Sequence, residues 1–272
     1  MESKVNPILT LPLNTEGRDL IVGDIHGMFA LLKQSLQSIN FNPKKDRLIC
    51  CGDLVDRGPS SAKAKDWLEK EWFYSVMGNH DAQYAFHNKK FDSGYSLICF
   101  PIDTWYLDIE TEESNSVFQA LWDKLYPAIE IETEKGLVGV IHAEIPDGMS
   151  WTAVKKRLNN EDHNLLHDCM WSRGIADEAF YGTNKQRERS LYLSDIKHVF
   201  HGHTINKLNQ LPYSIANRYY IDTGANLSRD PVKYPCAGFT ICDARFPDKP
   251  LFMNKEARKI LEQNRKESDL SI

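Results

Sequence analysis

Short apolar runs recur along the chain, and several stop at a polar cluster containing glycine, aspartate or histidine. Asp19-Leu-Ile-Val-Gly-Asp24 reads as a buried strand, and Phe29-Ala-Leu-Leu-Lys-Gln-Ser-Leu36 follows with apolar residues at helical spacing. Arg47-Leu-Ile-Cys-Cys-Gly-Asp53 predicts a second strand, residues 60–69 a helical segment, and Trp72-Phe-Tyr-Ser-Val-Met-Gly78 a third strand. This alternation of strand and helix predicts parallel pairing through right-handed crossovers. Sheets of that kind bind ligands beyond the carboxyl ends of their strands, which is where the polar clusters fall.

Residues 82–127 break the pattern. They are rich in aromatics (Tyr84, Phe86, Phe91, Tyr95, Phe100, Trp105, Tyr106, Phe118, Trp122, Tyr126) and read as a mostly helical insert packing over the sheet, with a separate binding module as the alternative. Two apolar runs around a polar, glycine-containing turn predict a hairpin over 129–141. Further strands are expected at 196–200, 218–221 and 238–242, and a charged surface helix at 256–265 within a charged tail, 254–272. Neither an internal repeat nor a linker divides the sequence, so 1–272 reads as one domain with an insert.

The composition narrows the function classes. At 272 residues and 42% apolar, the chain can bury the core of one large α/β domain. Its 33 basic and 38 acidic residues give a net charge of −5, the opposite of the balance that suits nucleic-acid backbones. No run approaches the ~18 apolar residues that span a bilayer, and the first residues lack a basic segment followed by an apolar one, so neither a membrane partner nor secretion is expected. The six cysteines are dilute and contain no Cys-x-x-Cys pair, which predicts reduced thiols and a cytoplasmic protein. Nothing demands more than a monomer.

The polar clusters carry the chemistry. In Gly23-Asp24-Ile25-His26-Gly27, a carboxylate and an imidazole one residue apart can turn toward one point, and such mixed oxygen and nitrogen donors suit manganese, iron, zinc or cobalt. Alternatively, Asp24 caps the following helix. In Gly52-Asp53-Leu54-Val55-Asp56-Arg57-Gly58, Asp53 occupies the corresponding strand end. If the two strands are neighbours, the carboxylates converge and need a cation between them. Arg57 offers a forked donor for phosphate oxygens, or forms one half of an ion pair that staples the turn. In Gly78-Asn79-His80-Asp81, Asn79 offers a neutral oxygen ligand, and His80 is the kind of residue that protonates a leaving group. His142 and His203 also stand where strands run out, and the combined set is large enough for two metals, with Asp53 the natural bridge.

Asp24-Ile-His26-Gly, Gly-Asp53-Leu-Val-Asp56-Arg57-Gly and Gly-Asn79-His80-Asp81 resemble the three signatures of the calcineurin-like metallophosphoesterases. The intact second signature resembles the PPP-type serine/threonine phosphatases, and in particular the small bacterial and lambda-bacteriophage members. Ile141-His142-Ala143-Glu144, Met170-Trp171-Ser172-Arg173, Gly202-His203-Thr204 and Tyr220-Ile221-Asp222-Thr223-Gly224-Ala225 continue the match in family order. The resemblance implies a four-layer α/β/β/α fold, a β-sandwich flanked by helices, with a dimetal site at the strand ends. It implies Asp24, His26 and Asp53 on one metal, and Asp53, Asn79, His142 and His203 on the other. Manganese is the expected activator, and iron or zinc is compatible with the donors. His80 would be the general acid, oriented by Asp56, while Arg57 and Arg173 clamp the phosphate. A hydroxide shared by the metals would attack phosphorus directly, without a phosphoenzyme. The implied partner is a phosphoprotein or phosphopeptide carrying phosphoserine or phosphothreonine, with phosphotyrosine and small phosphoesters as side substrates.

Several positions leave choices open. Asp81 stands where protein phosphatases of this branch usually carry Glu and where diadenosine-tetraphosphate hydrolases often carry Asp. Those hydrolases, however, tend to have Ala at the position of Asp56. Symmetrical dinucleoside-polyphosphate hydrolysis is therefore the alternative activity. A silent phosphoprotein-binding module is a third reading, although such a protein would normally have lost a ligand or His80. Ile205 replaces the second histidine of many nucleases and phosphodiesterases. His203 is expected as the ligand, with His201 able to exchange roles with it. Cys50 and Cys51 either fill a tight strand or expose the metals to thiol oxidation, and Asp222 either orients a ligand histidine or closes a turn.

Overall fold

The computed structural model describes residues 5–86 and 103–269. Among these, eleven strands form two sheets: β1 (Leu9–Leu11), β2 (Asp19–Val22), β3 (Arg47–Cys50), β4 (Phe73–Val76), β5 (Leu125–Tyr126), β6 (Ile129–Thr133), β7 (Gly136–Ile141), β8 (His198–His201), β9 (Tyr213–Ile215), β10 (Arg218–Tyr220) and β11 (Ile241–Asp243). Side chains alternate between the faces of a strand, and here both faces are covered. Leu20, Val22, Leu48 and Cys50 pack on the helical side, whereas Ile21, Ile49 and Val76 meet Ile129, Ile131, Val138, Val140 and Phe200 of the other sheet. This double burial is why the strands read as unbroken apolar runs. It also produces the expected four layers of helix, sheet, sheet and helix.

One sheet has the order β11-β2-β3-β4-β5, in which β2 to β5 are parallel and β11 is antiparallel to β2. The helices α1 (Phe29–Ser38) and α2 (Ala64–Leu68) make the crossovers, and a 3₁₀ turn at Ser61–Lys63 replaces the start of the single helix expected over 60–69. The other sheet has the order β1-β6-β7-β8-β10-β9, and the expected hairpin is present as the antiparallel β6–β7 pair. Four helices between β7 and β8, namely α5 (Trp151–Asn159), α6 (His163–Trp171), α7 (Gly174–Tyr181) and α8 (Lys185–Ser190), were not singled out by the apolar pattern.

The aromatic-rich stretch is divided. Its start completes α3 (Asn79–Ala85), residues 87–102 lie outside the described set, and the chain returns through a 3₁₀ turn (Trp105–Leu107) and α4 (Thr111–Lys124). Its end is not a cover over the sheet, because Leu125–Tyr126 pairs with β4 as a fifth strand. The rings of Tyr84, Trp105 and Phe118 meet, with centroids 5.4 Å and 5.1 Å from Tyr84. A helix, α9 (Lys255–Asp269), occupies the charged tail. Among the described residues, no helix is long and apolar enough to cross a membrane.

The entry to β8 is fixed by one buried amide. Asn217 Nδ2 donates to the carbonyls of Leu193, Ile196 and Lys197 at 2.9, 3.1 and 3.2 Å, and Oδ1 accepts from Leu193 N at 2.9 Å. Asn217→Ala leaves these groups unpaired in the interior and should destabilise the fold by about 2–4 kcal/mol in denaturant unfolding. A loss within experimental error would remove the amide as the clamp.

Candidate metal centre

The carboxyl ends of β2, β3 and β4 on one sheet face those of β7 and β8 on the other, and each hands the chain to a tight turn. His26, Asp53, Asp56, Arg57 and His203 adopt left-handed backbone conformations, with φ of 44°, 51°, 70°, 65° and 64°. Such conformations cost on the order of 1 kcal/mol or more per residue and persist only where the surroundings enforce them. The enforcement here is by backbone bonds between turns: Ile25 N and His26 N both donate to Asp53 O, at 3.1 and 2.7 Å, and Gly27 N donates to Leu54 O at 2.8 Å. Two glycines permit the close approach of the carboxylates, because a Cβ at Gly78 would run into Asp53 Oδ1 and one at Gly202 into Asp24 Oδ1.

Three histidines turn an unprotonated ring nitrogen to the centre. His26 Nδ1 lies 2.8 Å from Val55 O, His142 Nδ1 2.7 Å from Cys51 O and His203 Nε2 3.2 Å from Trp171 O. A carbonyl oxygen only accepts, so the proton resides on the nitrogen facing it and the other nitrogen is left as an acceptor. The acceptors then converge. His142 Nε2 lies 3.1 Å from His203 Nδ1, 3.0 Å from Asn79 Oδ1 and 3.5 Å from Asp53 Oδ1, with no proton available between the two ring nitrogens. Burial lowers the basicity of all three rings, His26 to about 3 and His203 well below the usual range, so they stay neutral. Neutral imidazoles and carboxylates crowded in this way are the donor set of a borderline divalent cation.

The carboxylates complete the set. Asp53 Oδ2 points to His26 Nε2 at 3.5 Å, while Oδ1 points to His142. Burial alone would raise Asp53, but His142, His80, His26 and His203 around it outweigh burial and hold it well below the ordinary carboxylate range. Asp24 Oδ2 is 3.9 Å from His26 Nε2, and its carboxylate accepts from His203 N at 3.0 Å. Burial, reinforced by the negative charges of Asp222 and Asp53, pushes Asp24 well up. Burial also raises Asp222 to about 6. Buried carboxylates that repel one another in this way fit a site built around positive charge. Ligand atoms of His26, Asp53 and His80 lie within 4.8 Å of one another, as do those of Asp53, His142 and His203, and Asp53 is common to both groups.

Beside this centre, His80 Nδ1 donates to Asp56 Oδ2 at 2.6 Å. The guanidinium of Arg57 lies against both imidazoles, with NH1 2.9 Å from His26 Nε2 and NH2 2.8 Å from His80 Nε2. Arg173 NH1 donates to His203 O at 2.9 Å and to Thr204 Oγ1 at 3.2 Å. The chain just after it is held by Glu144, whose carboxylate accepts from Ile175 N and Ala176 N at the start of α7. Both arginines are exposed whereas the metal-ligand candidates are buried, so the mouth of the site is cationic.

The residues expected from sequence thus stand together: Asp24, His26, Asp53, Asn79, His142 and His203 line one buried centre, with His80, Asp56, Arg57 and Arg173 at its edge. Of the two open histidines, His203 faces the centre and His201 stacks on Tyr220 with centroids 4.8 Å apart. Cys50 and Cys51 are fully buried, and burial raises both thiols, which fits packing and not reactivity. Asp222 Oδ1 accepts from Gly224 N at 2.9 Å and closes a turn. Asp81 is also inward: its oxygens accept from Leu54 N at 2.8 Å and Gly78 N at 3.1 Å. Sequence reasoning missed Tyr84 and Trp105, which both donate to Asp56. Tyr84 follows His80 by one helical turn, a usable signal, but Trp105 carries none.

Known proteins share this chain's sequence pattern and its fold. The calcineurin-like phosphoesterase family pattern matches residues 18–207. The serine/threonine-protein phosphatase 1 of Salmonella typhimurium is 30% identical over 209 residues, which is 75% of this chain and 85% of the relative. A symmetrical bis(5'-nucleosyl)-tetraphosphatase of Pseudomonas entomophila is 32% identical over 156 residues, 54% of this chain and 49% of the relative. Among solved structures, the cold-active protein-tyrosine phosphatase of a psychrophilic Shewanella shares the fold, with a TM-score of 0.54 and 13% identity over 89% of this chain and 79% of that one.

Proposed function

This chain belongs to the calcineurin-like phosphoesterase family, and within it we propose a metal-dependent phosphomonoesterase acting on phosphoserine and phosphothreonine of proteins or peptides. The observation that carries the reading is the 2.6 Å bond between Asp56 and His80 beside a convergent set of metal-ligand atoms. In this reading, Asp24, His26 and Asp53 hold one divalent ion, and Asp53, Asn79, His142 and His203 hold a second. Manganese is the expected activator, with iron or zinc compatible with the donors. Two such ions, when bound, draw charge from phosphate oxygens and acidify water.

The chain's own groups do the rest. Asp56 fixes the His80 ring by accepting a hydrogen bond from Nδ1–H. Nε2 accepts from Arg57 at 2.8 Å, so it takes up a proton and delivers it to the departing oxygen once Arg57 turns to the phosphate. Arg57 and Arg173 bind the phosphate dianion at the exposed mouth, where forked donors match its oxygens. His26, His142 and His203 are held by backbone carbonyls in the tautomers that keep their inner nitrogens unprotonated.

Symmetrical hydrolysis of dinucleoside tetraphosphates is the second reading, motivated by Asp81 and by the tetraphosphatase relatives. Two observations favour the phosphatase. Asp81 is 0% exposed and engaged by two backbone N–H groups, so its identity reflects how two turns pack and not what enters the site. The phosphatase match also extends over more of both chains. A silent phosphoprotein-binding module is disfavoured because every ligand position and His80 are filled. The deciding experiment compares kcat/KM for a phosphothreonine peptide and for diadenosine tetraphosphate with manganese-loaded protein. The peptide should be preferred by about tenfold or more, and a preference for the dinucleotide would replace this reading with the second.

A further inference from the structure

Asp56 is also held on its other oxygen, by contacts that the reaction as described does not use. While Oδ2 takes the His80 Nδ1 proton, Oδ1 accepts from Tyr84 Oη at 2.6 Å and from Trp105 Nε1 at 2.9 Å. The carboxylate is 0% exposed, so these two donors stand where water would otherwise solvate it. The segment that brings Trp105 is itself tied to the site. Asp103 Oδ2 accepts from Arg57 N at 2.7 Å, and Tyr84 Oη lies 3.4 Å from Asp103 O. Tyr84 comes from α3 and Trp105 from the chain 21 residues further on, and their ring centroids lie 5.4 Å apart.

We infer that Tyr84 and Trp105 are positioning residues that hold Asp56, and through it the His80 ring, in line for proton delivery to the leaving group. The inference rests on the general-acid reading of His80. A carboxylate with a fixed Oδ1 can present Oδ2 in one direction only, and His80 is oriented by that oxygen. With either donor removed, the carboxylate gains rotational freedom and the ring loses its aim. The step affected is hydrolysis at phosphorus: a water oxygen forms the new P–O bond, and the electron pair of the breaking bond stays on the departing oxygen. The proton that His80 Nε2 carries once Arg57 has turned to the phosphate goes to that oxygen. A leaving group stable as an anion needs no such proton, whereas a poor one does.

The test uses metal-loaded Tyr84→Phe and Trp105→Phe proteins, which keep the rings and remove one donor each. With phenyl phosphate, kcat/KM should fall by about tenfold for each variant. With 2,4-dinitrophenyl phosphate it should stay near wild type, and metal content should not change. In an Asp56→Asn background, both substitutions should cost nothing further. A readout without turnover is the His80 Nδ1 proton resonance of zinc-loaded protein, which should broaden through faster solvent exchange in both variants. Equal losses on the two substrates, losses that persist in the Asp56→Asn background, or full activity with an unchanged resonance would each overturn the inference. Failure of the underlying reading looks different: His80→Ala would then lose the same factor on both substrates.

Discussion

Asp53→Asn protein will retain neither metal ion, and its turnover will fall by at least about three orders of magnitude. The expectation follows from the way one carboxylate serves two groups of donors. Oδ2 faces His26 at 3.5 Å and Oδ1 faces His142 at the same distance, so both sets share this residue. The amide of asparagine replaces one oxygen by an N–H donor, which would direct protons at an imidazole lone pair. It also removes the negative charge that balances the buried centre. The turn itself should survive, because the amide oxygen can still accept the 2.9 Å bond from His80 N. Metal analysis of the purified variant, alongside kcat on a phosphothreonine peptide, checks the expectation. Retention of one ion would mean that Asp53 belongs to a single metal and that the bridge lies elsewhere.

His80→Ala should behave in the opposite manner, keeping both ions while kcat on a phosphothreonine peptide falls by about 10²–10⁴-fold. Serine and threonine alkoxides are poor leaving groups, so the loss of a positioned proton donor is felt in full. The metal count matters here because the geometry leaves a specific competitor. His80 Nε2 is 4.0 Å from Asp53 Oδ2 and belongs to one of the two ligand-sized groups. Loss of an ion from this variant would make His80 a ligand instead of an acid, and would reassign the role of Asp56 with it.

The parts of the fold that were legible in sequence are those in which local chemistry and tertiary environment coincide. β2, β3 and β4 are buried on both faces and followed by turns, so an apolar run ending in Gly-Asp (β2, β3) or Gly-Asn (β4) identified each one. β5 was hidden because it is two residues long and belongs to the sheet only through β4. The choice between His201 and His203 shows a different obstacle. Residues two apart on a strand share a face, which makes the pair equivalent on paper. β8 ends at His201, and the left-handed backbone at His203 redirects the chain, so only His203 turns to the centre. Asp81 marks a third limit: a residue that distinguishes relatives by sequence is here consumed by two backbone donors. Trp105 was invisible because its partner lies 49 residues away, with no periodicity linking them.

The bond from His203 N to the carboxylate of Asp24 joins residues 179 apart in sequence. Closing so long a loop is entropically unfavourable until the intervening chain has condensed, and contacts of this separation are characteristic of slow-forming topologies. The donor set therefore does not accumulate residue by residue as the chain emerges. Asp24, Asp53 and Asn79 can gather once the first parallel strands pair, but they make half a centre, and the half supplied by His142 and His203 arrives only with the second sheet. A chain cut anywhere between α3 and β8 would carry the three signatures intact and no complete centre.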